Sequence, residues 1–171
     1  MSKLHAFVTV GTTRFDKLIN AISNLEFLTI LINNGFEKLT IQYGSGQAAT
    51  IPNCISEKLQ VIQIDFKSSI GDILEDADLV ISHAGSGTLL ETLRSRKPTK
   101  LVAVCNNDLM DNHQIELANK LASIGCLICC ENVQNNLVQK VLTALKTGDF
   151  KRLEKPDKNV LKEYIESLFP K

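Results

Sequence analysis

Three short stretches of this sequence carry residue types suited to holding an anionic, polar ligand. The first runs from His83 through Ala84, Gly85, Ser86 and Gly87 to Thr88. Glycines let backbone N–H groups come close to a bound group. A helix beginning near Thr88 would add unpaired N–H groups and the positive end of its dipole, a combination that favours phosphate. The Gly-Lys-Ser/Thr ending of a P-loop is missing. A dinucleotide fingerprint is missing too: Leu90 stands where the third glycine belongs, and the motif follows a fourth strand rather than a first. Thr88 and Glu91 also fit the Thr-x-x-Glu capping box, so an ordinary helix start explains those two residues. It leaves His83, Gly85 and Gly87 unexplained.

The second stretch is Gly11, Thr12 and Thr13, with Asp16 three residues on. It offers a flexible backbone, two hydroxyls and a helix start; the simpler alternative is a helix cap with an acid near the positive end. The third is the polar loop from Asn106 to Gln114. Asn112, His113 and Gln114 could bond to sugar hydroxyls, or Asp111 or Asn112 could simply cap a helix.

Other candidate chemistry is weaker. Asp76 and Asp78 have Asp-x-Asp spacing for a divalent cation, but they lead into a buried strand and better fit a helix end, so no metal site is expected. The five cysteines are Cys54, Cys105, Cys126, Cys129 and Cys130. An odd count without a secretion signal points to reduced thiols. Cys126 and Cys129 have Cys-x-x-Cys spacing, but no second ligand pair follows, and the segment reads as a buried strand. No cofactor is expected.

The elements that must position these residues alternate. Strands are expected at 4–10, 39–43, 59–66, 78–82, 100–105 and 126–130. Leu18, Ile19, Ile22, Leu25, Leu28 and Ile32 recur at helical spacing, predicting one helix over about 15–33 that ends at Asn34 and Gly35. Further helices are expected at 69–75, 88–95, 113–124, 133–146 and 158–169. This alternation predicts an α/β, Rossmann-like fold, a mainly parallel sheet with helices on both faces. The stretch 41–52 is ambiguous, leaving open an antiparallel pairing of the second and third strands. The expected organisation is a ligand-binding domain over 1–150 and a separate carboxyl-terminal helix within 151–171.

Composition narrows the class. The chain has 171 residues, 44% hydrophobic and 22% charged, which suits one soluble domain. Its 19 basic and 19 acidic side chains cancel, and aromatic residues make up 5%, which argues against nucleic-acid binding. The amino terminus lacks the pattern of a signal peptide, and the apolar runs fall far short of the roughly 20 residues of a membrane span. A cytoplasmic protein is expected, and any membrane association would depend on a partner.

The segment Ile81 to Thr88 with Glu91, the segment Asp111 to Ala118, and Phe7 to Thr13 together resemble a known family. It comprises the catalytic subunits of eukaryotic UDP-N-acetylglucosamine transferases, which add the second sugar to dolichol-linked oligosaccharide precursors. That family is in turn similar to the carboxyl-terminal domain of MurG-type transferases, the C-terminal half of a GT-B glycosyltransferase. The resemblance covers nearly the whole chain.

The resemblance implies roles where motifs match. Gly11, Thr12 and Thr13 match the glycine loop near the donor diphosphate, and Gly85, Ser86, Gly87 and Thr88 match the turn facing the phosphates. Phe66 and Lys67 match the segment holding uracil, Glu91 an acid bonding to ribose, and His113 and Gln114 polar residues that touch N-acetylglucosamine. The implied reaction is an inverting transfer to a lipid-diphosphate acceptor, GlcNAc-diphosphodolichol. The family's two-domain relatives have a second half that this chain has no room for. That implies a membrane-anchored partner subunit forming a heterodimer on the cytosolic face of the endoplasmic reticulum. The last helix, with Leu161, Tyr164, Ile165, Leu168 and Phe169 at helical spacing, would dock there, pack on its own sheet, or both. His83 and His113 are candidates for the general base by their ordinary pKa range, but the family architecture places that group on the acceptor side, and the base stays unassigned. Two other readings remain open: a stand-alone, epimerase-like sugar-nucleotide enzyme, and a non-catalytic binding module.

Overall fold

The computed structural model describes residues 3–106 and 113–153. The expected last helix at 158–169 and the loop residue Asn112 lie outside the described residues.

Six strands form one sheet: β1 (Leu4–Thr9), β2 (Phe36–Gln42), β3 (Gln60–Ile64), β4 (Leu79–His83), β5 (Lys100–Val104) and β6 (Ile128–Cys130). Their order is β3-β2-β1-β4-β5-β6, and every pairing is parallel. The antiparallel alternative for β2 and β3 is therefore overturned; Lys38 to Gln42 run in register with Gln60 to Ile64. The connection between them, residues 43–59, contains a single short 3-10 turn at Asn53–Ile55 and is long enough to bring the chain back to the amino end of the sheet.

Helices α1 (Asp16–Ser23), α2 (Leu25–Asn33) and α6 (Val133–Lys146) supply buried side chains to one face of the sheet, and α3 (Gly71–Asp76), α4 (Ser86–Leu93) and α5 (His113–Ser123) to the other. The strand alternation divides the core accordingly. Ala6 and Val8 of β1 point into the first cluster, with Phe27, Leu28, Leu39 and Val141, and Phe7 points into the second, with Leu74, Val80, Leu89 and Leu101. Phe7 and Val80 are fully buried; burying each such side chain contributes roughly 1.5–3 kcal/mol. Both faces are covered at the centre of the sheet, which is why β1, β4 and β5 read as nearly continuous apolar runs.

Two helix expectations change. The single helix over 15–33 is two helices. Asn24 breaks it with extended backbone (φ −72°, ψ 155°), and its Oδ1 accepts from Phe27 N at 2.8 Å, capping α2. Apolar periodicity continues across the break because both helices bury the same face. The second change is α4, which starts at Ser86 rather than Thr88. Thr88 thus lies inside the helix, where its carbonyl accepts from Thr92 Oγ1 at 2.8 Å, and Gly85 occupies the cap position with no side chain to cap with. The capping-box explanation of Thr88 and Glu91 falls with it.

After α6 the chain returns across the amino-terminal edge of the sheet. Lys151 N donates to Gly125 O, Arg152 to Arg96 O, and Leu153 N to Leu93 O, and Leu153 packs on the second cluster. Among the described residues, no helix is long and apolar enough to cross a membrane.

Candidate functional site

The strand order reverses between β1 and β4. The chain moves outward from β1 to β3, then crosses back to place β4 on the other side of β1. At such a switch point the loops leaving the two strands diverge and leave a crevice at their carboxyl ends. Register puts Thr9 beside Ser82, so Gly11 and His83 emerge next to each other. The two glycine-bearing stretches therefore meet at one place.

His83 is the piece between them. A Cβ on Gly11 would lie 2.9 Å from His83 Cε1, and a Cβ on Gly85 would lie 2.3 Å from His83 Nε2. Only glycine allows both backbones to approach the ring this closely. Gly11 also needs its left-handed conformation, φ 62°. Burial lowers the His83 pKa from the ordinary 6.5, against an opposing interaction with the Thr9 backbone. Its buried Nδ1 has no hydrogen-bond partner among the described residues. The ring is consequently neutral near pH 7.

The first loop is held by its own polar groups. Thr9 Oγ1 accepts from Gly11 N at 3.0 Å and donates to the buried Gln42 Oε1 at 2.6 Å. Thr13 Oγ1 donates to Val10 O at 2.8 Å. The hydroxyl of Thr13 is thus spent inside the loop rather than capping α1, whose cap position is Phe15. Asp16 accepts from Arg14 Nε at 2.6 Å. Behind the loop, Ser45 N donates to Thr13 O, and a Cβ on Gly44 would lie 2.1 Å from that same oxygen. Thr9, Gln42 and Gly44 were not singled out from sequence, because their part in the site arises from neighbouring strands.

The second loop opens outward. Leu89 N donates to Gly85 O at 3.1 Å, the first bond of α4. The N–H groups of Ser86, Gly87 and Thr88 precede it, have no intrahelical acceptor, and receive no side-chain cap. Ser86 and Gly87 are exposed, and a Cβ on Gly87 would meet nothing within 4 Å. These amides are free to face a ligand.

Gly87 and Glu91 are four residues apart on α4 and so share a face. Both line an open groove of about 480 Å³ between α3 and α4, with Gly71, Leu74, Leu90 and Arg94. A Cβ on Gly71 would lie 3.8 Å from Glu91 Oε1, in ordinary van der Waals contact, so Gly71 borders the carboxylate. Phe66 follows β3 and is 60% exposed. Lys67 lies elsewhere, in a second groove with His5, Lys38, Thr40, Ile62 and Asp76. Asn106, which opens the polar loop, donates from Nδ2 to Arg14 O at 3.4 Å. His113 and Gln114 begin α5, and Asn112 is outside the described residues.

Asp76 and Asp78 sit at the opposite, amino-terminal end of the sheet. Asp76 meets Lys38 Nζ and His5 Nδ1, both at 2.8 Å. Asp78 accepts from His5 N at 2.9 Å and meets Lys97 Nζ at 2.7 Å. Their spacing serves the end of α3 and the entry to β4.

The sequence profile of the glycosyltransferase family 28 C-terminal domain matches residues 5–168. The UDP-N-acetylglucosamine transferase subunit ALG13 of Homo sapiens is 43% identical over 125 residues, covering 72% of this chain and 11% of the human protein. The protein of that name from Saccharomyces cerevisiae is 33% identical over 163 residues, covering 77% of this chain and 80% of the yeast protein. The chain therefore spans about a tenth of the human relative and most of the yeast one. Among solved structures, an NMR structure of ALG13 aligns with a TM-score of 0.63 at 27% identity, covering 95% of this chain and 94% of that one. Acinetobacter baumannii MurG aligns with a TM-score of 0.60 at 19% identity, covering 85% of this chain and 42% of MurG, a likeness of fold. Sequence profile, relatives and sheet topology agree: the chain belongs to the glycosyltransferase family 28 C-terminal domain family.

Proposed function

We propose that this chain is the donor-binding, catalytic subunit of a heteromeric glycosyltransferase. It would move N-acetylglucosamine from UDP-GlcNAc to GlcNAc-diphosphodolichol with inversion, joined to a membrane-anchored partner on the cytosolic face of the endoplasmic reticulum. The observation that carries this reading is the convergence of Gly11 and Gly85 on His83, beside the uncapped amino terminus of α4. Negative charge grows on the departing diphosphate as the glycosidic bond breaks. The amides of Ser86, Gly87 and Thr88, with the α4 dipole, are oriented in advance to stabilise that charge. Glu91, which lines the same groove as Gly87, would accept from the ribose hydroxyls. Gly11, Thr12 and Thr13 would close on the diphosphate from the β1 side, and Phe66 would lie against uracil. His113 and Gln114, with Asn112, would contact the sugar.

On this reading His83 positions rather than reacts. Its ring is occupied in spacing the two glycine backbones, and an acceptor-side base would come from the partner or from the interface with it.

The test is a transfer assay on the complex co-purified from membranes, with UDP-GlcNAc and a lipid-diphosphate GlcNAc acceptor. Glu91→Ala should raise the apparent Kd for UDP roughly tenfold or more, the value of a hydrogen bond to a charged group. Transfer by the complex that survives both Glu91→Ala and Gly87→Trp unchanged would refute the donor site. Turnover of UDP-GlcNAc by the isolated chain, without partner or lipid, would refute the heteromeric reading.

A further inference from the structure

Away from the donor groove, two cysteines on neighbouring strands face each other. Cys129 lies in β6, the edge strand, and Cys105 stands one residue past the end of β5. Their side chains project from the same face of the sheet, because Ala103 pairs with Cys129 and Cys105 follows two residues on. The sulfurs are 3.8 Å apart. Cys105 is buried, while Cys129 is partly exposed. Access to Cys129 comes through an open groove of about 420 Å³ that wraps the sheet edge between α5 and α6, lined by Asn119, Leu127, Glu131, Asn136 and Lys140.

We propose that Cys129 is a thiol-modification site for low-molecular-weight disulfides such as oxidised glutathione, with Cys105 as the resolving thiol that converts the adduct into an internal Cys105–Cys129 disulfide.

The chemistry balances as two exchanges. Cys129 thiolate attacks one sulfur of the glutathione disulfide, the S–S bond breaks, and one glutathione thiolate leaves. Cys105 then loses its proton and attacks the Cys129 sulfur, expelling the second glutathione. Two protein thiols are oxidised, one glutathione disulfide is reduced, and two protons pass to the two leaving thiolates.

The surroundings divide the roles this way. The hydrogen bond from Cys105 lowers the Cys129 pKa and Lys140 adds to the effect, while burial and Glu131 oppose it. Cys105 is pushed up by donating that bond, by burial and by the Cys129 charge. Once Cys129 is capped, its negative charge is gone and the first and third of those causes disappear, so Cys105 becomes easier to ionise for the second step. Cys126 and Cys130 are buried with raised pKa values and do not compete. Closing the sulfurs from 3.8 Å to a bond of about 2.05 Å means a movement of roughly 1.8 Å. Side-chain rotation has to supply it, because Cys105 N donates to Cys130 O at 2.9 Å and ties the Cys105 backbone to β6.

The experiment treats the folded 171-residue chain with oxidised glutathione and maps its peptides by mass spectrometry. It uses no nucleotide, so its result does not depend on the transferase reading. The expected product is a Cys105–Cys129 crosslink, with Cys126 and Cys130 still free. Cys105→Ala should instead accumulate glutathione on Cys129. The proposal is overturned if Cys105 and Cys129 both stay free while the exposed Cys54 is fully glutathionylated. A glutathione adduct that persists on Cys129 of the unsubstituted chain overturns it as well, because Cys105 has then failed to resolve it. The mapping of the unsubstituted chain decides the matter even if the variant fails to fold.

Discussion

Gly87→Ala separates ligand binding from folding at the centre of the proposed donor site. Gly87 is the second residue of α4, is exposed, and has nothing within 4 Å of the position a Cβ would take. The added methyl therefore meets no protein atom. Replacing glycine within a helix by alanine stabilises it by up to about 1 kcal/mol, less near the first turn. Thermal unfolding should show a Tm unchanged or slightly raised. The same methyl stands beside amides that the proposal assigns to the diphosphate. If it holds the phosphate away from one of them, the loss is that of a charge-assisted hydrogen bond, about 1.5–3 kcal/mol, or roughly ten- to a hundredfold in Kd. Titration calorimetry with UDP on the complex measures this, and Gly87→Leu should deepen the loss. UDP affinity unchanged in both variants, with the fold intact, would show that the phosphate does not approach these amides. A fall in Tm of several degrees for Gly87→Ala would refute the claim that the site is open.

Gly85→Ala should behave in the opposite way, because its Cβ would fall 2.3 Å from His83 Nε2. We expect a destabilisation of about 1–3 kcal/mol in urea unfolding, with His83→Ala in the same chain recovering part of it in a double-mutant cycle. Asn24→Ala removes the cap of α2 and should cost about 1 kcal/mol, with UDP binding unchanged. Stability should also depend on pH. Desolvation by burial is the leading cause that lowers the folded-state pKa of both His5 and His83 below 6.5, so the unfolded chain binds more protons than the folded one between the two values. The contribution is fully present above about pH 6.5 and is lost as pH falls toward the folded-state values. The urea midpoint should therefore drop between pH 7.5 and 5.5, and His83→Gln should flatten part of that slope. The Asp76 carboxyl, held below 3.8 chiefly by its hydrogen bond from Lys38, adds stability lost only at much lower pH.

Much of the fold was legible in the sequence because both of its periodicities are strong. The short, β-branched apolar runs at 79–81 and 101–104 read as strands covered on both sides, and the helical spacing at 133–146 reproduces α6 to the residue. Periodicity failed where a helix changes direction without changing its buried face, as at Asn24. It failed again at α4, where the capping pattern of Thr88 and Glu91 pointed to a helix start two residues too late.

The sequence by itself determined which residue types could serve the site: small, flexible residues at 11 and 85–87, an acid at 91, and a histidine at 83. It could not decide that 11 and 85 touch the same imidazole. That follows from the parallel pairing of β1 with β4, strands some seventy residues apart whose adjacency is set by the crossover of the whole sheet. Nor could it separate Lys67 from the Glu91 groove, or set Cys105 against Cys129 rather than Cys126. Local spacing fixes which face of its own element a residue lies on. Which element faces it depends on how the apolar faces are buried together, and that is settled only when the chain packs.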